Sequence, residues 1–245
     1  MDVWHTGITI ILIFTAYFVK GFSGFGPALI LIPLLSLIIP PVEAIVLTTV
    51  FDLIAGILLL LSIRKTVLWK QVAMILPAFF FGAFLGARSI PILPVTMLKK
   101  TVALLVLFFI VLILWQSTRP LKPSLKLGHW YGRTIVSFLA GFGGGLAGIS
   151  GPLLVIYFKL QYAKSIFRNL LIAVFVFGAA WRLFLYRSVG LTVRFAPWQW
   201  MLFIATLLVA IAFGSLVQIR IDEQKFDRFV ALILLIPCVT LLFLK

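Results

Sequence analysis

Long apolar runs separated by short polar gaps fill most of this chain. Continuous apolar stretches occupy residues 42–63, 71–87, 97–115, 164–186, 198–217 and 226–244. About 20 apolar residues, rising about 1.5 Å each in an α-helix, cross the hydrocarbon core of a bilayer. Each run therefore predicts a transmembrane helix. None shows the apolar–polar alternation that marks a barrel strand. Four shorter apolar pieces, 6–19, 27–39, 131–142 and 152–160, flank two glycine-rich breaks. The first break reads Gly21-Phe22-Ser23-Gly24-Phe25-Gly26-Pro27, and the second Gly143-Gly144-Gly145-Leu146-Ala147-Gly148-Ile149-Ser150-Gly151-Pro152. Arms this short suit a re-entrant hairpin that reaches mid-membrane and turns back. Such irregular backbone is tolerated only where protein or a water-filled cavity surrounds it.

The polar stretch 116–132 divides the chain into halves of similar plan. The expected fold is an all-α integral membrane protein of two inverted repeats. Each repeat is a glycine-broken re-entrant helical hairpin followed by three transmembrane helices. The first repeat covers 1–115, with its hairpin over 6–39. A connecting loop follows over 116–130, and the second repeat covers 131–245, with its hairpin over 131–160. Sparse self-similarity supports the repeat. Gly21 and Gly24 match Gly145 and Gly148 at an offset of 124, and Gly86, Lys100, Ala103 and Leu104 match Gly214, Arg228, Ala231 and Leu232 at an offset of 128.

Charge tests the arrangement independently, because cytoplasmic loops carry an excess of Lys and Arg. With returning hairpins and inverted halves, one face receives Arg64, Lys65, Lys70, Arg119, Lys122, Lys126, Arg133, Lys159, Lys164, Arg168, Arg220, Lys225 and Arg228. The other receives Arg88, Lys99, Lys100, Arg187, Arg194 and Lys245, a split of 13 to 6. With each hairpin as one continuous crossing, the split is 10 to 9. The inverted arrangement is favoured, with both termini facing away from the cytoplasm.

Composition sharpens the class. The 245 residues are 63% hydrophobic and 11% charged, with a mean hydropathy of +1.23. A soluble domain could not bury that much apolar surface. The net charge of +15 would suggest nucleic acid in a soluble protein. Here the basic residues lie in the gaps between apolar runs, where they set orientation in the lipid bilayer, so no nucleic-acid partner is expected. Some also draw anions towards a pathway mouth. The start, Met1-Asp2-Val3, lacks a basic n-region, so no cleaved signal peptide is expected. Cys238 is the single cysteine, which excludes an intramolecular disulfide. Most of the seven tryptophans sit near span ends, as interface anchors do.

The breaks are where chemistry is expected. Paired interruptions in matching halves point to a transporter's binding site. Glycine permits backbone conformations closed to other residues, and proline fits the first helical turn, where its missing N–H is no loss. Gly26-Pro27 and Gly151-Pro152 therefore read as starts of half-helices, whose free amides and macrodipole attract anions. The expected substrate-binding set is Gly21, Ser23, Gly24, Gly26, Gly145, Gly148, Ser150 and Gly151. The competing reading is that Gly21, Gly24, Gly145 and Gly148 merely allow close helix packing.

Asp52 is the one acid well inside an expected span, and an intramembrane acid is a functional candidate by default. It either carries a coupling proton or pairs with Lys20 or Arg182. Thr48 lies one turn earlier on the same face. Lys20 abuts the first break and has no basic counterpart, since Gly144 holds the matching place. Lys20 and Arg182 either neutralise an anion or snorkel to an interface. Asn169 and Tyr157 are secondary hydrogen-bond donors near the second break. His5 and His129 do not cluster, and the chain holds no metal-ligand spacing, phosphate-binding loop or Ser/His/Asp set. No enzyme activity, cofactor or metal is expected.

At these two breaks the chain resembles the TauE/SafE family of sulfite and organosulfur anion exporters. The resemblance rests on the Gly-Phe-Ser-Gly-Phe-Gly-Pro segment with Pro33 and Leu34 following, and on the Gly-Gly-Gly-Leu-Ala-Gly-Ile-Ser-Gly-Pro segment. One departure is Pro27, which stands where the family pattern has another glycine. The resemblance implies export of a small anion such as sulfite or sulfoacetate, across the cytoplasmic (inner) membrane of a prokaryote. The expected mechanism is alternating access, in which the two halves rock around a midplane site. The alternatives are an anion channel and a carrier for a non-sulfur organic acid. The sequence leaves the coupling ion and the oligomeric state open.

Overall fold

The computed structural model describes residues 3–23, 27–118, 130–162, 164–193, 195–217 and 238–241. The described residues are helical, with no strand among them. In order they form α1 (Val3–Ser23), α2 (Ala28–Leu35), α3 (Pro41–Ile63), α4 (Trp69–Ser89), α5 (Val95–Thr118), α6 (Trp130–Ala147), α7 (Gly151–Gln161), α8 (Lys164–Ser188) and α9 (Pro197–Val217). A short 3₁₀ turn, Ile90–Ile92, joins α4 to α5. Helices are the only open-ended way to satisfy every backbone group without water. That is why near-continuous Leu, Ile, Val and Phe runs take this form. Five helical segments are long and apolar enough to cross a membrane: Pro41–Ile63, Trp69–Ile92, Val95–Leu112, Ile166–Ser188 and Pro197–Leu216. Most of the sixth expected span, 226–244, and most of the connecting loop lie outside the described residues.

The arms around the breaks are unequal, where the sequence suggests short pieces on both sides. Helices α2 and α7 have 8 and 11 residues, so they reach about 12 and 17 Å. Helices α1 and α6 have 21 and 18 residues, about 32 and 27 Å. Each first arm runs on into its glycine-rich stretch because those glycines sit against neighbouring helices. The close contacts they permit offset the roughly 1 kcal/mol that a glycine costs within a helix.

Helix α4 packs along α6, α1 along α9, and α3 against α8. The α4–α6 contact is built from four glycines. A Cβ at Gly82 or Gly86 would collide with the carbonyl oxygens of Phe138 or Phe142, and one at Gly141 or Gly145 with those of Phe79 or Ala83. Two small-xxx-small ridges thus face each other, which is how helices approach closely where lipid supplies no hydrophobic drive. On the other side, a Cβ at Gly21 would stand 2.6 Å from the Ile211 carbonyl oxygen and 3.2 Å from Gly214 Cα.

Helix ends are set by local chemistry. Pro41 opens α3 at its first position, where its ring fits the first turn. Helix α8 ends at Ser188, and Gly190 just beyond it has φ +77°. There the Gly190 amide donates to the Arg187 carbonyl, and the Leu191 amide donates to the Tyr186 carbonyl at 2.8 Å. This is a Schellman closure.

Candidate functional site

The second break is a tight reversal built on Gly148. Its φ is +73°, a left-handed conformation that L side chains avoid. Its amide donates to the Gly144 carbonyl at 2.9 Å, closing α6 with an αL cap. The reversal folds the next residues back on the helix. A Cβ at Gly143 would lie 3.0 Å from the Ile149 carbonyl oxygen, and one at Gly144 would lie 3.0 Å from Ser150 Cβ. Helix α7 then starts at Gly151-Pro152, with Ser150 as its N-cap residue. The Ser150 side chain makes no capping bond and is buried. Pro152 carries no N–H, so the first-turn amides of α7 without intrahelical partners are those of Gly151 and Leu153.

A small cavity opens at this turn, lined by Gly148, Ile149, Ser150, Gly151 and Pro152. Ala28 and Leu29 line it from the start of α2, Asp52 from α3, and Phe175 and Arg182 from α8. The start of the short helix after each break thus faces one space. Arg182 is only 2% exposed, so it does not snorkel. Its Nη1 donates to the carbonyl of Gly148 at 2.9 Å and to that of Gly144 at 3.3 Å. Its Nε is buried and unpartnered. Tyr186, one turn later on α8, donates its hydroxyl to the carbonyls of Gly144 and Gly145 at 3.0 and 2.9 Å. The last carbonyls of α6, which a helix leaves unsatisfied, are thus held by α8.

Across the cavity Asp52 pairs with Lys20, not with Arg182. Lys20 Nζ lies 2.7 Å from Asp52 Oδ1, and both side chains are buried. Tyr17, one turn before Lys20, donates its hydroxyl to the same Oδ1 at 3.4 Å and to the Thr48 carbonyl at 3.3 Å. The Thr48 hydroxyl is buried without a partner.

Of the expected site residues, Gly148, Ser150, Gly151, Asp52 and Arg182 line one cavity, and Lys20 stands behind Asp52. Gly21 and Gly145 sit at helix–helix contacts and do not line it. Ser23 ends α1, but its side chain lies outside what the structure describes, as do Gly24 and Gly26 altogether. Asn169 donates to the Thr66 hydroxyl at an exposed position, and Tyr157 is buried in the apolar core. Sequence reasoning missed Tyr17, Tyr186 and Phe175. The first two had a signal, since each lies one helical turn from a buried cation on its own helix.

Apolar helices interrupted around a buried, cationic cavity define a polytopic membrane protein with its polar groups gathered inside the bundle, the arrangement expected of a transporter. The family model described as Sulfite exporter TauE/SafE matches residues 9–241, nearly the whole chain, and the chain belongs to that family. No curated protein and no solved structure matches it.

Proposed function

We propose that the protein is a secondary transporter that exports sulfite or a related sulfur-containing anion, with the substrate bound in the cavity at the second break. The observation that carries this is the buried Arg182, which has no acidic partner among the described residues, facing the same space as the Gly148–Gly151 turn and the start of α7. Free first-turn amides and the helix dipole favour an anion there. Ser150 supplies a hydroxyl, and Arg182 supplies the full charge. Ser23, Gly24 and Gly26 of the first break are further candidates from the sequence, and the Ser23 side chain, Gly24 and Gly26 lie outside what the structure describes. Gly21 and Gly145 act by letting α1 and α6 approach their neighbours.

Alternating access is the mechanism we assign. Helix pairing supports it: α1 lies on α9 and α4 on α6, so exchanging the halves exchanges these contacts. Equivalent positions 20 and 144 also both meet the third helix of their own half, through Asp52 and Arg182 respectively. Both features suit inverted repeats rocking about a shared site. Asp52 faces the cavity and is the group on which a coupling proton would ride. Family membership supports a location in the cytoplasmic membrane of a prokaryote, and the 13-to-6 charge split supports both termini outside.

The test is transport by the purified full-length protein in liposomes. Sulfite should leave sulfite-loaded vesicles saturably, and external sulfite should accelerate exchange of labelled internal sulfite. Non-saturating flux without counter-transport would make it a channel. No sulfite movement, with saturable movement of a carboxylate, would make it an organic-acid carrier.

A further inference from the structure

We propose that the charges around this cavity count out the substrate: the site accepts one net negative charge, and Asp52 sets that count. The inference rests on reading the cavity as the anion site and adds the valence of what it takes.

Three charged side chains are buried here, with Lys20 3%, Asp52 6% and Arg182 2% exposed. Lys20 and Asp52 lie 2.7 Å apart and cancel. Asp52 lines the cavity and Lys20 does not, so the carboxylate stands between the ammonium and any bound anion. Arg182 has no such acidic partner among the described residues. Its hydrogen bonds end on the carbonyl oxygens of Gly144 and Gly148, which carry dipoles but no net charge, and its Nε makes none. The partial positive charge at the start of α7 is opposed by the partial negative charge at the end of α6, whose carbonyls meet the same guanidinium. Among the described residues the lining therefore holds one uncompensated positive charge. A buried charge left unpaired is costly, and one monoanion neutralises it. A dianion would leave an excess negative charge beside the buried Asp52 carboxylate, a like-charge contact that costs affinity.

Methanesulfonate and sulfate separate valence from protonation, because they are sulfur oxyanions of similar size with fixed charges of one and two near neutral pH. Their binding to the purified full-length protein should be measured by competition at constant ionic strength. The wild type should prefer methanesulfonate by about tenfold or more, since like-charge juxtaposition costs that much affinity. Asp52→Asn leaves Lys20 uncompensated and should reverse the preference towards sulfate. Lys20→Met combined with Asp52→Asn restores the count and should restore the monoanion preference. A preference that stays the same in all three proteins overturns the charge count. If Asp52→Asn does not fold, the double variant decides, and sulfate preference there overturns the proposal. Arg182→Gln separates the two levels. Binding that ignores Arg182 sinks the anion-site reading itself. Arg182-dependent binding whose valence preference ignores Asp52 sinks only the count.

Discussion

The Lys20–Asp52 pair should be worth far more broken than kept, and the difference can be measured. Lys20 Nζ and Asp52 Oδ1 are 2.7 Å apart, with side-chain exposures of 4% and 9%. Asp52→Asn strands a buried ammonium, and Lys20→Met strands a buried carboxylate. Either change should cost about 3–5 kcal/mol, the usual loss when one member of a buried pair is removed. Making both changes leaves no stranded charge. The methionine side chain fills the lysine's apolar volume, and the amide oxygen at position 52 still accepts from the Tyr17 hydroxyl. The double variant should therefore lose less than about 1–2 kcal/mol, because apolar replacement of a buried pair is often close to neutral. The assay is equilibrium unfolding in mixed micelles, completed as a double-mutant cycle. Losses that simply add would refute the reasoning, since they would mean the two charges do not see each other. A second arm tests the link to function: sulfate should stabilise Asp52→Asn more than the wild type, as a ligand specific to the folded state must.

Arg182→Gln should abolish sulfite-dependent thermal stabilisation while the protein still inserts, whereas Arg182→Lys should retain part of it; stabilisation unchanged in the glutamine variant would clear Arg182 of substrate. Gly148→Ala should lose about 1–2 kcal/mol to left-handed strain, and its new methyl would press on Ile32 Cδ1 at 2.5 Å. Gly148→Leu should stop transport in a correctly inserted protein; normal flux would remove the turn from the site. Gly141→Val should force α4 and α6 apart and destabilise by about 3 kcal/mol or more, the upper range for overpacking, read in the same micelle assay. Cys238→Ser gives a cysteine-free background. Single cysteines at both termini should then react with a membrane-impermeant thiol reagent from outside, and labelling from the cytoplasmic side would overturn the inverted arrangement.

The spans were legible because the bilayer enforces a local rule. Any segment such as 42–63 or 198–217 must satisfy its own backbone, so length and apolar content suffice to place a helix. Break positions were legible for a similar reason, since Gly-Pro pairs act on the residues beside them. The roles of individual glycines were not. Gly145 and Gly148 sit three residues apart in one motif, yet one is pressed against Ala83 and the other turns the chain at φ +73°. That choice depends on where α4 lies, which the motif does not encode.

The order of residues is enough for the class: helices across a membrane, two interruptions, and three ionisable groups too deep to ignore. How those groups divide is a matter of helix packing. Lys20 took Asp52, leaving Arg182 to the carbonyls of α6. Helical periodicity fixes which face of a helix a residue occupies, but the rotation and approach of α1, α3 and α8 fix which faces meet. Those depend on close backbone contacts made far away in the chain, such as Gly21 against α9 and Gly82 against α6. A buried charge takes whichever partner that packing brings within hydrogen-bond reach.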